Sequence, residues 1–423
     1  MKIAENGWVQ CPLEKLTSLI KDGTHGTHKD VDDGIPLLSA KDVRDGIFEI
    51  PYECRRISKA DYESIHKKYE IQPKDILLTV VGTIGRTYIM RGTEPRFSIQ
   101  RSVAVIRADG VKPEYLYQYL RSRAFQANLK EFTNASAQGG VYLGSLAKCT
   151  VKLPTTLPEQ SKIAEILSMM DGAIEQTEAL IAKQQRIKTG LMQELLTRGI
   201  DEHGNLRSEQ THKFKDSPLG RIPVEWEAST LGKLAEFQSG YAFRNQELTE
   251  NGWRVVRISN LHKPDFPYWH YEGQVKQRWI IRSGDILFSW AGVAFSIDCV
   301  RYIGPDALMN QHIYNFKFAT EDIKTFVYYF IQSYLPKLRT EIEGGAGQLH
   351  LTKAKIQSIG VPQLKDDELK RTVMILERLE DILNGYRNSL LKAKTLKTAL
   401  MQDLLTGRKR VTPLLNDEEV SNG

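Results

Sequence analysis

Apolar residues follow two rhythms along this chain. Short runs such as Ile76 to Val81 and Val103 to Ile106 are apolar throughout, and Pro73-Lys74-Asp75 leads into the first. Runs of that length predict buried strands. From Pro158 to about Thr197 the apolar positions are spaced by threes, fours and their sums: Leu167, Met170, Ile174, Ile181, Leu191 and Leu195. That is the a/d seam of a coiled coil. The seam is written twice, as Leu376, Leu379, Leu383, Leu390, Leu400 and Leu404 keep an offset of 400 − 191 = 209 residues. Leu-Met-Gln-Glu-Leu-Leu-Thr at 191–197 thus returns as Leu-Met-Gln-Asp-Leu-Leu-Thr at 400–406. The period is too long for a solenoid unit of about 20–50 residues, so it marks a duplicated domain plus helix.

The first helix opens with Pro158 in its first turn and Glu159-Gln160 behind it, an acid at the positive end of the helix dipole. It runs some 39 residues, about 58 Å at 1.5 Å per residue. Gly172 and Gly190 weaken it and Gly199 ends it. The second helix spans about Asp366 to Thr406. Tyr115 to Phe125 reads as an amphipathic helix, Gly139-Gly140 as a tight turn, and Val151 to Pro154 as the last strand of the first domain. The second half repeats the first with drift. Trp226 answers Trp8, Lys233-Leu234 answers Lys15-Leu16, and Gly284 to Leu287 answers Lys74 to Leu77. Gln311 answers Gln100, Phe326-Val327-Tyr328 answers Tyr115-Leu116-Tyr117, and Val361-Pro362 answers Leu153-Pro154.

The expected organisation is a domain over 1–156, a helix over 157–199, a linker over 200–216, a second domain over 217–363, a helix over 364–408 and a polar tail over 409–423. The fold class is α+β: two mixed α/β domains joined by two long helices in an antiparallel coiled coil, with a pseudo-two-fold internal repeat. Parallel helices would force residues 198–216 to return along about 58 Å, close to the roughly 63–68 Å limit of a stretched chain. Antiparallel helices ask nothing of that linker. Ile187, Met192 and Leu196 lie beside the first seam, as do Leu396, Met401 and Leu405 beside the second. Either they tuck under the two domains, or a partner helix packs there.

Composition changes this picture little. In 423 residues, Lys+Arg 58 against Asp+Glu 52 leaves a net charge of +6, compatible with a nucleic-acid partner without requiring one. The sequence starts without an apolar signal core, and no run approaches the roughly 18 apolar residues of a membrane span. A cytoplasmic location and no membrane contact are expected. Cys11, Cys54, Cys149 and Cys299 are scattered, which suggests neither a disulfide framework nor a zinc site.

The candidate chemistry is polar and planar. Thr24, His25, Thr27 and His28 form a compact loop of donors and acceptors whose spacing is a weak metal signature. Arg86, Gln100, Arg101 and Gln138 in the first half occupy loops or strand edges. So do Arg244, Asn245, Asn260, His262, Gln311, His312, Gln348 and His350 in the second. Arg, Asn and Gln pair bidentately with base edges in the major groove; each of these residues also fits an ordinary polar surface. Catalytic signatures are lacking: no phosphate loop, no Gly-x-Ser-x-Gly elbow, no His-Glu-x-x-His and no Asn-Pro-Pro-aromatic motif. Glu368-Leu369-Lys370 is a nuclease-like fragment better explained as helix surface.

Leu157-Pro158-Glu159-Gln160 with Ile163, Leu167 and Asp171 resembles the specificity subunit of Type I restriction–modification systems. So do the helix ends from Lys188 and Lys397 onward, Ser217 to Pro223 leading into Trp226, and the loop Asp22-Gly23-Thr24-His25. The likeness covers almost the whole chain. The second copy departs from it, because Leu364-Lys365-Asp366-Asp367-Glu368 replaces the Pro-x-Glu-Gln helix start. The resemblance implies two target recognition domains, each reading half of a split, asymmetric site in double-stranded DNA. It implies two methylation subunits carrying S-adenosylmethionine, and restriction subunits using ATP and Mg, while this chain binds no cofactor and catalyses nothing. A methyltransferase or nuclease with an unseen catalytic motif, and a coiled-coil scaffold that never touches DNA, stay open on the residues alone.

Overall fold

A computed structural model describes residues 2–4, 7–134, 139–293, 296–343 and 349–415. The chain forms two units, Met1–Glu178 with Asn388–Gly423, and Ala179–Arg387. Each unit therefore holds the first part of one long helix and the last part of the other.

In unit 1, β1 (Thr17–Asp22), β2 (Ile76–Thr79), β3 (Thr87–Ile89) and β4 (Val103–Ala108) make an antiparallel sheet in the order β1-β4-β2-β3. Both faces of its middle are covered, which is why Ile76–Leu78 in β2 and Val103–Ile106 in β4 are apolar at successive rather than alternate positions. Ile76, Leu78, Ala104 and Ile106 face a core shared with α1 (Pro113–Leu120) and the long helix. Leu77, Val103 and Val105 face a second core with Tyr69 and Phe97.

Unit 2 repeats this plan. Its sheet is β5 (Ala235–Ser239), β6 (Ile286–Ser289), β7 (Asp298–Arg301) and β8 (Ile313–Phe318), in the order β5-β8-β6-β7. Ile286 and Phe288 face one core, Leu287 the other. The turn before each central strand is the same device: Lys74 and Gly284 adopt φ of 70° and 91°. The following Asp75 and Asp285 carboxylates accept from the Gln72 and Arg282 amides at 2.8 and 2.9 Å. Glycine is the ordinary residue for that conformation, and Lys74 takes it without being one.

The long helices are α2 (Leu157–Thr197) and α4 (Asp366–Leu404), α3 (Glu321–Glu343) preceding the latter. In unit 1, Asp171 pairs with Lys397 and Glu178 with Lys394; in unit 2, Gln185 pairs with Arg387 and Lys188 with Glu380. Numbers rise along one helix as they fall along the other, so the helices are antiparallel in both units, as the linker length predicts. Lys188 and Lys397 are the lysines of the repeated motif, and Asp171 and Glu380 stand at the same 209 offset. Burial alone would raise both acids; Arg121 beside Asp171 and Lys188 beside Glu380 outweigh it and hold each carboxyl below its usual value.

Several expectations are corrected. The amphipathic stretch over 115–125 is two helices, Pro113–Leu120 and Arg123–Asn134, broken at Arg121-Ser122. Residues 200–216 do not hang free: Ile200 and Arg207 are buried in unit 2, and a hairpin begins at Phe214. The start of the tail also packs down, with Val411 in the unit 1 core. The apolar stripe is mostly consumed internally. Met192 and Leu196 are buried with Trp226 and Tyr329, Leu405 is buried in the unit 1 core, and Met401 packs against it. Only Ile187, 39% exposed, and Leu396, 52% exposed, keep open surface, at matched positions.

Candidate nucleic-acid interface

At one end of each central sheet two loops are locked together through backbone. In unit 1 the Thr24 amide donates to the Ile99 carbonyl (2.9 Å), the Gln100 amide to Leu38 (2.8 Å) and the Arg101 amide to Thr24 (3.1 Å). In unit 2 the Tyr241 amide donates to Met309 (3.1 Å), the Asn310 amide to Val256 (3.0 Å) and the Gln311 amide to Tyr241 (3.0 Å). The glycine before each loop makes the approach close: a Cβ on Gly23 would stand 2.0 Å from the Ile99 oxygen, and one on Gly240 2.2 Å from the Met309 oxygen. This lock shifts the sequence alignment by one. Gln100 matches Asn310, and Arg101 matches Gln311. Likewise the Leu13 and Leu231 amides donate to Cys149 and Ile359, so Val151 rather than Leu153 matches Val361.

The lock gathers Thr24, Gln100 and Arg101 at one end of unit 1, Arg101 exposed and the other two half-buried. His25 is exposed and pairs with Asp22 at 2.6 Å; Thr27 is exposed; His28 bridges Thr24 and Asp61. Asp61 escaped the sequence reading because it lies 33 residues from His28. Arg86 is not part of this group. It lines a cavity of about 820 Å³ in unit 1 with Tyr117, Arg121, Asp171 and Lys397.

In unit 2 the lock places the exposed Gln311 beside His312, their Nε2 atoms 3.1 Å apart, and the His312 and Trp290 ring centroids stand 5.3 Å apart. Arg244 and Asn245 are exposed on the short turn after Phe243. Asn260 is a correction: it is buried, accepts from the Arg257 amide (3.1 Å) and donates to the Phe266 carbonyl (2.8 Å), closing the start of a short helix. His262 is exposed and stands 3.7 Å from Asp298. His350 lies on the strand Leu349–His350, paired with Ala291–Gly292. Gln138 and Gln348 lie outside the described residues. Among the described residues no group of three His, Cys, Asp or Glu is placed to hold a metal ion, and no helix is long and apolar enough to cross a membrane.

The model of the Type I restriction modification DNA specificity domain matches the chain twice, over residues 14–184 and 223–393. The chain belongs to that family. Its two matches each contain one lock and most of one long helix. The MjaVIII specificity subunit of Methanocaldococcus jannaschii is 25% identical over 398 residues, covering 90% of this chain and 87% of that protein. The putative MjaX specificity subunit of the same organism is 24% identical over 96% of this chain and 94% of its own length. The fold is also that of a solved S subunit of a Type I system from M. genitalium, with a TM-score of 0.60 at 15% identity over 96% of this chain and 98% of that one. A second solved chain, from work on complex assembly and conformational transition of a Type I system, gives 0.56 at 14% identity over 96% and 99%. The chain is a DNA specificity subunit, the non-catalytic component of a Type I system.

Proposed function

We propose that unit 1 and unit 2 each read one half of a split, asymmetric site in double-stranded DNA, and that the locked loop pairs carry the base contacts. One observation supports this most. The backbone lock is the same in both units, while the side chains on it differ: Thr24, Gln100 and Arg101 against Tyr241, Asn310 and Gln311. A conserved hold with exchanged readers is what two different half-sites require. The reading extends to partners. Methylation subunits, two by the repeat, seat on the long helices at the exposed and matched Ile187 and Leu396; they bring S-adenosylmethionine, and restriction subunits bring ATP and Mg. A cytoplasmic location goes with that assembly.

The test is methylation mapping with the assembled complex. Arg101→Ala should relax one half-site and Gln311→Ala the other, each lost bidentate contact weakening binding by about 1–3 kcal/mol. The same preparations report on seating, since Ile187→Asp and Leu396→Asp should lower recovery of methylation subunits with the chain. A variant in one unit that changed both half-sites equally would defeat the division of labour. Unchanged recovery with both Asp variants would remove the seat.

A further inference from the structure

We infer that Thr24 recognises an exocyclic amino group of a base, adenine N6 or cytosine N4, and that Asp61, acting through His28, commits the Thr24 hydroxyl to accept. The inference rests on unit 1 being a half-site reader and deepens that reading.

The geometry is a relay of three side chains. His28 Nδ1 lies 3.0 Å from Asp61 Oδ1, and its Nε2 lies 2.7 Å from Thr24 Oγ1. The far end is fixed: the Ser58 hydroxyl donates to Asp61 Oδ2 at 2.8 Å, and the Asp61 amide donates to Ser58 Oγ at 3.1 Å. The loop is held as well, because Arg55 Nη2 donates to the His28 carbonyl at 2.6 Å and Asp22 holds His25. The hydrogen bond from His28 keeps the Asp61 carboxyl below its ordinary range, so it is ionised at neutral pH.

An ionised carboxylate only accepts, so His28 Nδ1 carries a proton, and when that is the ring's single proton Nε2 offers a lone pair. The Thr24 hydroxyl must then spend its single proton on His28. The Gly26 amide donates to the same oxygen at 3.1 Å. A hydroxyl oxygen has one donor and two acceptor directions. Two of the three are used inside the loop, and the one left is an acceptor. In the major groove the donors available to it are adenine N6 and cytosine N4. A free threonine reads donors and acceptors alike; Asp61 removes that ambiguity. Asp61 is a positioning residue.

The experiment uses the complex of the chain with its methylation subunits at pH 8. Within the half-site assigned to unit 1, each adenine is replaced in turn by purine and each cytosine by 2-pyrimidinone, which deletes the amino group alone. At one position the parent complex should lose about 5- to 150-fold in affinity, and Thr24→Val should show no such loss there. Asp61→Ala should abolish the discrimination at that base pair only, whereas a loop that simply unfolded would weaken every pair in the half-site. The inference is overturned if no amino deletion couples to Thr24→Val, or if the coupled change is a 7-deaza purine, which deletes an acceptor. Arg101→Ala run in parallel separates the two levels. If it alters the half-site while Thr24→Val shows no coupling, the assignment of Thr24 falls alone. If neither variant alters it, the reading of unit 1 falls with it.

Discussion

The long helices start on the same buried acid and hold it differently. Glu159 and Glu368 are each the third residue of their helix, and both are buried. In unit 2, Glu368 accepts from Arg207 Nη1 and Nη2 at 2.5 and 3.0 Å, from Trp226 Nε1 at 3.0 Å and from the Ile200 amide at 3.1 Å. In unit 1, Glu159 accepts from Arg410 Nε and Nη2 at 2.6 and 2.7 Å. The Trp8 indole N–H there has no partner among the described residues, and the Lys152 ammonium lies 5.7 Å over its ring instead. The arginines differ in shelter, with side-chain exposure of 8% for Arg207 and 32% for Arg410. Each arginine follows the glycine that ends the opposite helix: Gly199, φ 64°, and Gly407, φ 72°. A helix start in one copy is thus clasped by the helix end of the other, and what the copies share is the clasp rather than the residues around it.

Removing the arginine should have the largest effect. Arg207→Ala leaves a buried carboxylate without its counter-charge, which costs about 3–5 kcal/mol. Arg410→Ala should cost clearly less, because water already reaches that guanidinium. Amide-exchange protection over the first turns of α4 and α2 measures each clasp separately. Equal losses in the two units would show that exposure does not set the difference. Replacing both partners, as Arg207→Met with Glu368→Gln, removes both charges and keeps an acceptor for Trp226 and the Ile200 amide, so it should recover part of the loss.

The tryptophans sharpen the comparison at a smaller scale. Trp226→Phe deletes a donor to a buried charge, an interaction of about 1.5–3 kcal/mol. Trp8→Phe deletes a donor that has nothing to give up and loses only packing. Protection in unit 2 should therefore fall further than in unit 1 for the same substitution. A larger loss from Trp8→Phe would place an unseen acceptor on its indole.

Much of this was legible in the sequence, and the failures have physical causes. The helices were plain because a seam of fixed period reports its own faces, and even the atypical start at Asp366 keeps its glutamate in register with Glu159. The domains slipped because their offset is not constant. Leu37 and Val255 stand 255 − 37 = 218 apart, whereas Ile76 and Ile286 stand 286 − 76 = 210 apart, matched through the same parallel and antiparallel pairings. Half two is eight residues shorter between those strands, and one misplaced position put Gln311 opposite Gln100. Met192, Leu196 and Leu405 looked like surplus apolar surface because periodicity sees a helix and not the domain that covers it. Asn260 and Asp61 were beyond reach for a related reason: one is a buried helix-start acceptor, the other meets His28 only through tertiary folding.

The smallest difference between the units is one of pH. His66 of unit 1 is buried, its Nδ1 3.1 Å from the Tyr69 carbonyl oxygen and its Nε2 3.1 Å from Ser98 Oγ. Burial lowers its pKa, outweighing the Tyr69 carbonyl and Glu70, which favour the charged form. The folded chain therefore binds this proton more weakly than the unfolded chain, whose imidazole titrates near about 6.5. Stability follows the excess of protons on the unfolded state. The contribution of His66 is thus complete above that value and is lost as pH falls from it toward the folded pKa. No other histidine among the described side chains is buried, so this dependence is expected of unit 1. Amide protection factors, corrected for the intrinsic rate at each pH, should fall in the Tyr69–Phe97 core between pH 7.5 and 5.5 while the unit 2 cores change less. His66→Gln keeps polar atoms near both partners and cannot charge, so it should remove the extra loss. An acid-induced fall that survived in that variant would assign the sensitivity to the carboxylates of the clasps and helix pairs instead.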